Sequence, residues 1–221
     1  IARSDTKQNN LMRLALTSGA TELEVSPDGK TLALVVRGDI WAIPSDKGGD
    51  ARRLTQEPAN DYDIWWSPDS KRLVFLSDRD GVFNVYSLDV ASLAVKRLSS
   101  GLHEESTPKF SPDGKWVSFL RSGPQGGLYV VPADGSAPPR RVTESRGNNL
   151  FGVGIKSYSW SPDSKWLAFA RRDATGTSDI WVTPLERGAP TNITHYPGDN
   201  DSPEWSSDGK YLVFDSDRDR R

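Results

Sequence analysis

Few residues of this sequence could carry out chemistry on their own. It has no cysteine, which excludes a disulfide, a thiolate zinc site and a cysteine nucleophile, and its only histidines are His103 and His195. His103 begins the segment His-Glu-Glu-Ser-Thr, in which Thr107 stands where a zinc-binding His-Glu-x-x-His motif needs its second histidine. No Gly-x-Ser-x-Gly motif occurs. We therefore expect no catalytic centre, no metal site and no cofactor in this chain.

The clearest pattern is a hexapeptide of the form aromatic or Val, Ser, Pro or Ser, Asp, Gly or Ser, Lys. It occurs five times, at residues 25–30, 66–71, 110–115, 160–165 and 205–210. Its serines are 41, 44, 50 and 45 residues apart, close to the ~40–45 residues of a four-stranded propeller blade. The repeat therefore predicts the elements that must position any site.

Each copy is a turn between two extended segments. Pro presets φ, Asp hydrogen-bonds nearby backbone and Gly accepts positive φ. Two further extended runs follow in the first four units, so each unit supplies four strands. The sequence predicts an all-β propeller, a single domain over 1–221, with blade units near 18–55, 56–99, 100–143 and 144–194, and a last unit made of 195–221 together with 1–17.

Two closures of this propeller stay open. In one, residues 1–17 supply the strands that the last blade lacks, which gives a five-bladed ring. In the other, the chain is part of a six- or seven-bladed propeller and presents open sheet edges, which favour self-association.

Composition narrows the classes of partner. The chain has 28 Lys and Arg against 30 Asp and Glu, a formal charge of −2, so it lacks the broad positive field that nucleic-acid binding requires. Its apolar runs are far shorter than the roughly 20 residues that span a bilayer. We expect a peptide or protein partner, with no nucleic acid and no membrane insertion.

The repeat unit resembles the TolB-like propeller repeat along essentially the whole chain. The matching elements are the Ser-Pro-Asp-Gly-Lys turn, a Leu-Ala-Phe-like strand, Ser-Asp-Arg-Asp-Gly, Asp-Ile-Trp and Arg-Arg-Leu-Thr. Residues 26–44, with Arg-Gly-Asp-Ile at 37–40, look like the opening of the propeller in tricorn-type serine peptidases. Residues 202–218 resemble a late blade of the same propeller.

This resemblance implies a noncatalytic module. In tricorn-type peptidases the catalytic segments follow the propeller, and nothing in 1–221 matches them, so the implied role is to gate or dock peptide. A TolB-like protein-interaction scaffold is the alternative, and an excised propeller piece without its own ligand is a weaker one. The tricorn-like reading implies a cytoplasmic location and the TolB-like reading a periplasmic one.

The loops between blades supply the candidate binding residues. We call the segments 55–63, 99–107, 143–157 and 194–202 the rim loops; they hold eight acidic residues and two basic ones. This charge favours a basic partner. The longest loop also carries an aromatic residue among asparagines and glycines. The predicted binding residues are Asp61, Asp63, His103, Glu104, Glu105, Asn148, Asn149, Phe151, His195, Tyr196, Asp199 and Asp201.

Two Ser-Asp-Arg-Asp segments, at 77–80 and 216–219, could suggest calcium. Each has only two carboxylates and lacks the longer set of oxygen ligands that a calcium loop supplies. We instead predict structural turns, in which Asp caps backbone amides and Arg pairs with a neighbouring blade.

Overall fold

The structure, a computed structural model, describes residues 19–46, 49–145, 154–173, 176–186, 188–195 and 198–217. These residues form a series of short strands with no helix among them. The strands are β1 (Ala20–Val25), β2 (Thr31–Val36), β3 (Asp39–Pro44), β4 (Arg52–Arg53), β5 (Asp61–Trp66), β6 (Arg72–Ser77), β7 (Asn84–Asp89), β8 (Val95–Arg97), β9 (Glu105–Phe110), β10 (Trp116–Arg121), β11 (Gly127–Pro132), β12 (Arg140–Glu144), β13 (Gly154–Trp160), β14 (Trp166–Arg172), β15 (Ser178–Pro184), β16 (Thr191–Asn192), β17 (Asn200–Trp205) and β18 (Leu212–Ser216).

Consecutive strands pair antiparallel into separate sheets. Four sheets have four strands each, in the orders β1-β2-β3-β4, β5-β6-β7-β8, β9-β10-β11-β12 and β13-β14-β15-β16, and β17 pairs with β18 in a fifth. We call these sheets blades 1 to 5. The all-β propeller of four-stranded blades is thereby confirmed. The strands predicted to complete blade 5, in residues 1–17, lie outside the described residues.

The hexapeptide folds in the same way in all five copies. In blade 4, Ser161 Oγ donates to Asp163 Oδ1 (2.6 Å), which accepts from Lys165 N (3.0 Å). Ser161 Oγ also accepts from Trp166 N (2.9 Å) at the start of the next strand. The other four copies repeat these bonds. Side-chain oxygens thus satisfy the turn's backbone amides, which fixes the hairpin between the first two strands of each blade.

The fifth hexapeptide position needs positive φ, as the sequence predicted. Glycines there have φ of 70° to 72°, but Ser70 and Ser164 adopt 59° and 60°. Each serine compensates with a bond between blades, because Ser70 Oγ accepts from Asp28 N (3.1 Å) and Ser164 Oγ from Asp113 N (3.0 Å). The Gly-to-Ser variation therefore ties blade 2 to blade 1 and blade 4 to blade 3.

The hydrophobic core lies between blades. Three clusters of buried side chains join blade 1 to 2, blade 2 to 3 and blade 3 to 4. Of the four aromatic residues that begin hexapeptides, Trp66, Phe110 and Trp160 are 4%, 4% and 8% exposed, and Trp205 is half-buried. Trp66 Nε1 also donates to Glu24 O of blade 1 (3.2 Å). The faces that blades 1 to 4 turn towards one another are thus buried, as repeat architectures require.

The fourth strands of blades 1, 2 and 4 are shorter than the sequence pattern predicted, whereas β12 of blade 3 includes its predicted end at Thr143. β4 and β16 have two residues each; in the pairs that follow, Leu54 N and Ile193 N still donate to the third strand, at Ile40 O (2.7 Å) and Ile180 O (2.9 Å), but regular pairing ends there. Just beyond each of these strands a side-chain hydroxyl takes the place of a backbone carbonyl in the sheet. Thr55 Oγ1 accepts from Ile40 N (2.9 Å), and the hydroxyls of Ser99 and Thr194 accept from third-strand amides of blades 2 and 4 in the same way.

Candidate functional site

The first strands of the blades lie beside one another at the inner edges of the sheets. β1 contacts β5, β5 contacts β9, and β13 contacts β17. Lys109 Nζ on β9 donates to Tyr158 O on β13 (3.1 Å), and Tyr158 Oη donates to Thr107 O. Side chains that precede each hexapeptide therefore face a common space, which we call the central channel.

A β-bulge interrupts the first strand as it passes this channel. In blades 2, 3 and 5 the bulge residue has positive φ without being glycine: 55° at Asp63, 49° at Thr107 and 53° at Ser202. Such bulges redirect a strand and recur next to functional sites.

Side chains from the preceding blade cap amides at these bulges. Glu22 Oε2 accepts from Ile64 N (3.1 Å), Asp63 Oδ2 from Thr107 N (2.6 Å), and Ser157 Oγ from Ser202 N (3.1 Å). Glu22, Asp63 and Ser157 all stand four residues before a hexapeptide serine. The cap is therefore part of the repeat, and it fixes how these side chains stand in the channel.

Two cavities meet in the channel. One, of about 340 Å³, is lined by residues of β1, β5 and β9, including Glu22, Glu24 and Asp63. The other, of about 430 Å³, lies nearer the hexapeptide turns and is lined by prolines of three turns together with Ser159 and Glu204. Trp65 and Lys109 line both. The cavities are therefore continuous at Trp65 and Lys109.

An aromatic side chain and a cation stand at the junction of the cavities. Trp65 is 38% exposed, in contrast to its neighbour Trp66. The Lys109 ammonium lies 5.2 Å from the ring centroids of both Trp65 and Tyr158. Cation–π contact and the bond to Tyr158 O hold this ammonium in place.

The channel is acidic. Four carboxylates and one ammonium line its two cavities. Burial, followed by the charge of Glu22, raises the pKa of Glu24, although Lys109 opposes the shift. Burial also raises the pKa of Asp63, and the amide of Thr107 counteracts it. The negative charges of Glu24 and Asp63 are therefore less well stabilised than those of the same side chains in water.

Two of the predicted rim acids prove to be buried. Asp61 is fully buried and pairs with Arg79 (3.1 Å). Glu105 is 2% exposed and pairs with Arg121 (2.6 Å). Each pair lies within one blade, because both partners come from its first strand and from the end of its second strand or the turn beyond. The sequence interpretation, in which the Arg of the Ser-Asp-Arg-Asp turn at 77–80 reaches a neighbouring blade, is corrected by this geometry.

Other rim acids are neutralised locally. Asp199 pairs with Arg172 (3.0 Å) and accepts from Ser178 N, while Asp201 accepts from Ser157 Oγ (2.6 Å) and lies 3.6 Å from Lys156. Glu144 pairs with Arg141 (3.0 Å). The rim loops are therefore much less acidic in effect than their composition predicts, because arginines outside the loops pair with four of their carboxylates and Lys156 within them pairs with a fifth.

The other predicted residues do not converge on one site. Glu104 and His103 are exposed on the loop before β9, where the imidazole rests against Gly123, and His195 is exposed after β16. Asn148, Asn149, Phe151 and Tyr196 lie outside the described residues. Of the predicted set, Asp63 is the residue that lines the channel cavities.

Within the described ranges, no group of three or more His, Cys, Asp or Glu side chains is arranged to hold a metal ion. No helix in the same ranges has the length and apolar character to cross a membrane.

Sequence reasoning missed most of the channel residues. Glu24, Trp65, Lys109, Ser159 and Glu204 all stand two residues before a hexapeptide serine. Alternate residues of a strand share a face, so this position could have been extracted from the repeat. It was overlooked because the five residue types differ while the hexapeptide beside them is constant.

The fold and channel define the chain as a β-propeller. The model of the TolB beta propeller domain matches residues 6–149, and the chain belongs to this family. An uncharacterized protein of Agrobacterium fabrum is 30% identical over 211 residues, which cover 86% of this chain and 67% of that protein. Dipeptidyl-peptidase 5 of Porphyromonas gingivalis is 24% identical over 254 residues, which cover 89% of this chain and 37% of the peptidase.

Solved structures agree with this assignment. The putative TolB from Agrobacterium tumefaciens has 26% identity and a TM-score of 0.63, with 90% of this chain and 76% of that chain covered. The tricorn protease has 15% identity and a TM-score of 0.71, with 90% of this chain and 20% of the protease covered; it is similar in fold. The resemblance to TolB-like and tricorn-type propellers is confirmed. The chain spans only about a third of the dipeptidyl-peptidase.

Proposed function

We propose that this chain is a noncatalytic propeller module that docks an extended peptide, or an extended segment of a protein partner, in its central channel. The observation that carries this proposal is the pair of cavities that meet at the exposed ring of Trp65. Exposed aromatic side chains in a concave site supply contact area at little entropic cost.

Two features support a peptide as the occupant. The channel is lined by first strands whose bulges give it a fixed shape, and its polar groups are dispersed along it instead of converging on one reacting atom. A relative named as a dipeptidyl-peptidase contains a segment like this chain within about a third of its length. In a protein of that kind, the module would position peptide for chemistry that occurs elsewhere.

A TolB-like interaction scaffold is the second candidate. The similarity to a putative TolB over 76% of that chain favours it. Both candidates use the same surface, and they differ in whether the docked segment is a substrate or part of a folded partner.

Paired tryptophan variants test the docking site. Trp65 and Trp166 are 38% and 41% exposed, but Trp166 lines neither channel cavity. We expect Trp65→Ala to weaken binding of a fluorescein-labelled random 12-residue peptide pool about tenfold, and Trp166→Ala to leave it within twofold. Equal effects of the two substitutions, or no binding by the wild type, would remove the channel from consideration.

A further inference from the structure

The four acidic side chains that line the channel cavities have no cationic partner within the described ranges, whereas five of the eight rim acids do. Among the described residues, no Lys, Arg or His nitrogen lies within 4.0 Å of a carboxylate oxygen of Glu22, Glu24, Asp63 or Glu204. Five rim acids, by contrast, are paired at 2.6–3.6 Å. Glu22, Glu24 and Asp63 are half-buried, and a carboxylate partly withdrawn from water without a counter-charge is unfavourable unless something compensates it; Glu204 is exposed and carries its charge at the solvent side of the cavity lining.

A buried hydroxyl in the same channel also lacks a partner. Ser159 is 6% exposed, and its Oγ makes no hydrogen bond within the described part of the chain. It lines the cavity that Glu204 and Lys109 also line, and it stands at the same repeat position as they do. Thr107 Oγ1, in the other cavity, likewise lacks a partner among the described residues, as do the hydroxyls of Ser178 and Thr183 outside both cavities. What distinguishes Ser159 is that its hydroxyl lines the cavity beside Glu204 and can bond a group that enters it.

From these observations we infer that the channel binds a positively charged side chain of its partner, a Lys ammonium or an Arg guanidinium, between Glu204, Ser159 Oγ and the ring of Trp65. The inference rests on the proposed function and names the residue type that the channel selects. Glu204 supplies the charge, Ser159 Oγ an acceptor lone pair, and Trp65 a ring face.

Lys109 does not fill this role itself. Its ammonium donates to Tyr158 O and lies over the rings of Trp65 and Tyr158, so it is held against the channel wall. With one ammonium against four carboxylates, the channel lining retains a formal charge of −3. A cationic side chain moves this charge towards zero, whereas an acidic side chain would add to it and could pair only with Lys109.

The raised pKa values of Glu24 and Asp63 agree with this reading. Burial is the main cause at both positions, and the charge of Glu22 adds to it. A second cation would lower both pKa values by favouring the charged carboxylates. Binding of the cationic side chain should therefore weaken as the carboxylates become protonated.

Matched peptides separate charge from shape. Three 12-residue Gly/Ser peptides carry Arg, citrulline or Glu at one central position; citrulline has nearly the shape of Arg without its charge. Binding is followed by NMR titration of the full chain, which detects millimolar affinities. We expect the Arg peptide to bind about tenfold more tightly than the citrulline peptide and the Glu peptide to bind most weakly.

Variants locate the effect. Glu204→Gln should reduce the preference for Arg over citrulline to about twofold, and Ser159→Ala should weaken binding of the Arg peptide about threefold. Glu57→Gln, which removes the same charge from an exposed rim residue, should leave the preference unchanged. Circular dichroism of each variant confirms that it is folded.

The outcomes distinguish the two proposals. Equal binding of the Arg and citrulline peptides, or tighter binding of the Glu peptide, overturns the cation site. Docking in the channel still stands in that case if Trp65→Ala weakens peptide binding about tenfold. Failure of all three peptides to bind the wild type overturns both proposals. An Arg preference that survives Glu204→Gln overturns the placement of the cation.

Discussion

Replacing Glu105 with Ala should lower the free energy of unfolding by about 3–5 kcal/mol, the cost of breaking a buried ion pair on one side. The cost of a buried pair applies here because Glu105 is 2% exposed and the side chain of its partner Arg121 is 13% exposed. The substitution would leave the Arg121 guanidinium buried without its partner.

The contacts of Glu105 show what would be lost. Its Oε1 accepts from Arg121 Nε (3.0 Å) and Nη2 (2.6 Å), and its Oε2 accepts from Ser99 Oγ and from Val85 N (3.0 Å) of blade 2. Val85 N also donates to Ser99 Oγ (2.9 Å), so that amide stays satisfied in the variant. The predicted loss therefore comes mainly from the unpaired Arg121, together with weaker coupling of blades 2 and 3.

Urea unfolding followed by tryptophan fluorescence measures this effect. The matched control is Glu144→Ala, which removes an acid paired with Arg141 at 3.0 Å but 59% exposed, and which should cost at most about 1 kcal/mol. If the two substitutions cost the same, within about 0.5 kcal/mol, the reasoning on the buried pair is refuted.

Three further predictions concern the hexapeptides and the channel. Thermal unfolding should show Ser164→Ala to be less stable than Ser164→Gly by about 1 kcal/mol, because both lose the bond to Asp113 N but only Gly relieves the positive φ. The Ser161 hydroxyl and then the Lys165 amide lower the pKa of Asp163 below 3.8 in the folded protein. The stability that the Asp163 carboxylate contributes is therefore present above pH 3.8 and is lost as the pH falls through the folded pKa. In unfolding measurements from pH 5 to 2, Asp163→Asn should lack this loss of stability. The pKa of Glu24 is raised above 4.5 in the folded protein. The stability that the protonated Glu24 contributes is therefore fully present below pH 4.5 and is lost as the pH rises through the folded pKa. Glu24→Gln should abolish this decline in stability, measured as the urea midpoint from pH 4 to 7.

The blades could be predicted from sequence because one turn carries most of the information. Ser, Pro, Asp and Gly each meet a separate backbone requirement of the hairpin, and the five copies fix the period. The fourth strands of blades 1, 2 and 4 were predicted too long because Thr55, Ser99 and Thr194 look like strand residues, yet their hydroxyl groups replace a ladder bond. Sequence pattern alone does not distinguish these two uses of Thr.

The acidic rim was predicted from loop composition, and composition omits the counter-charges. Arg79, Arg121 and Arg172 are far from their acids in the chain; Arg79 and Arg121 meet theirs when the first and second strands of a blade pair, and Arg172 meets its acid when blades 4 and 5 pack. The channel acids escaped notice for the opposite reason, since Glu24 and Glu204 stand on strands and look like exposed strand residues. Their importance depends on the closeness of the first strands, which local patterns do not reveal.

Fluorine NMR tests the central claim, that the channel docks the partner, most directly. Labelling with 5-fluorotryptophan gives one resonance for each of the 8 tryptophans, and Trp65→Phe and Trp166→Phe variants assign the two exposed rings. On titration with the Arg peptide, the account predicts a saturable shift of the Trp65 resonance and an unchanged Trp166 resonance. Saturable binding that shifts Trp166 and leaves Trp65 unmoved would contradict it.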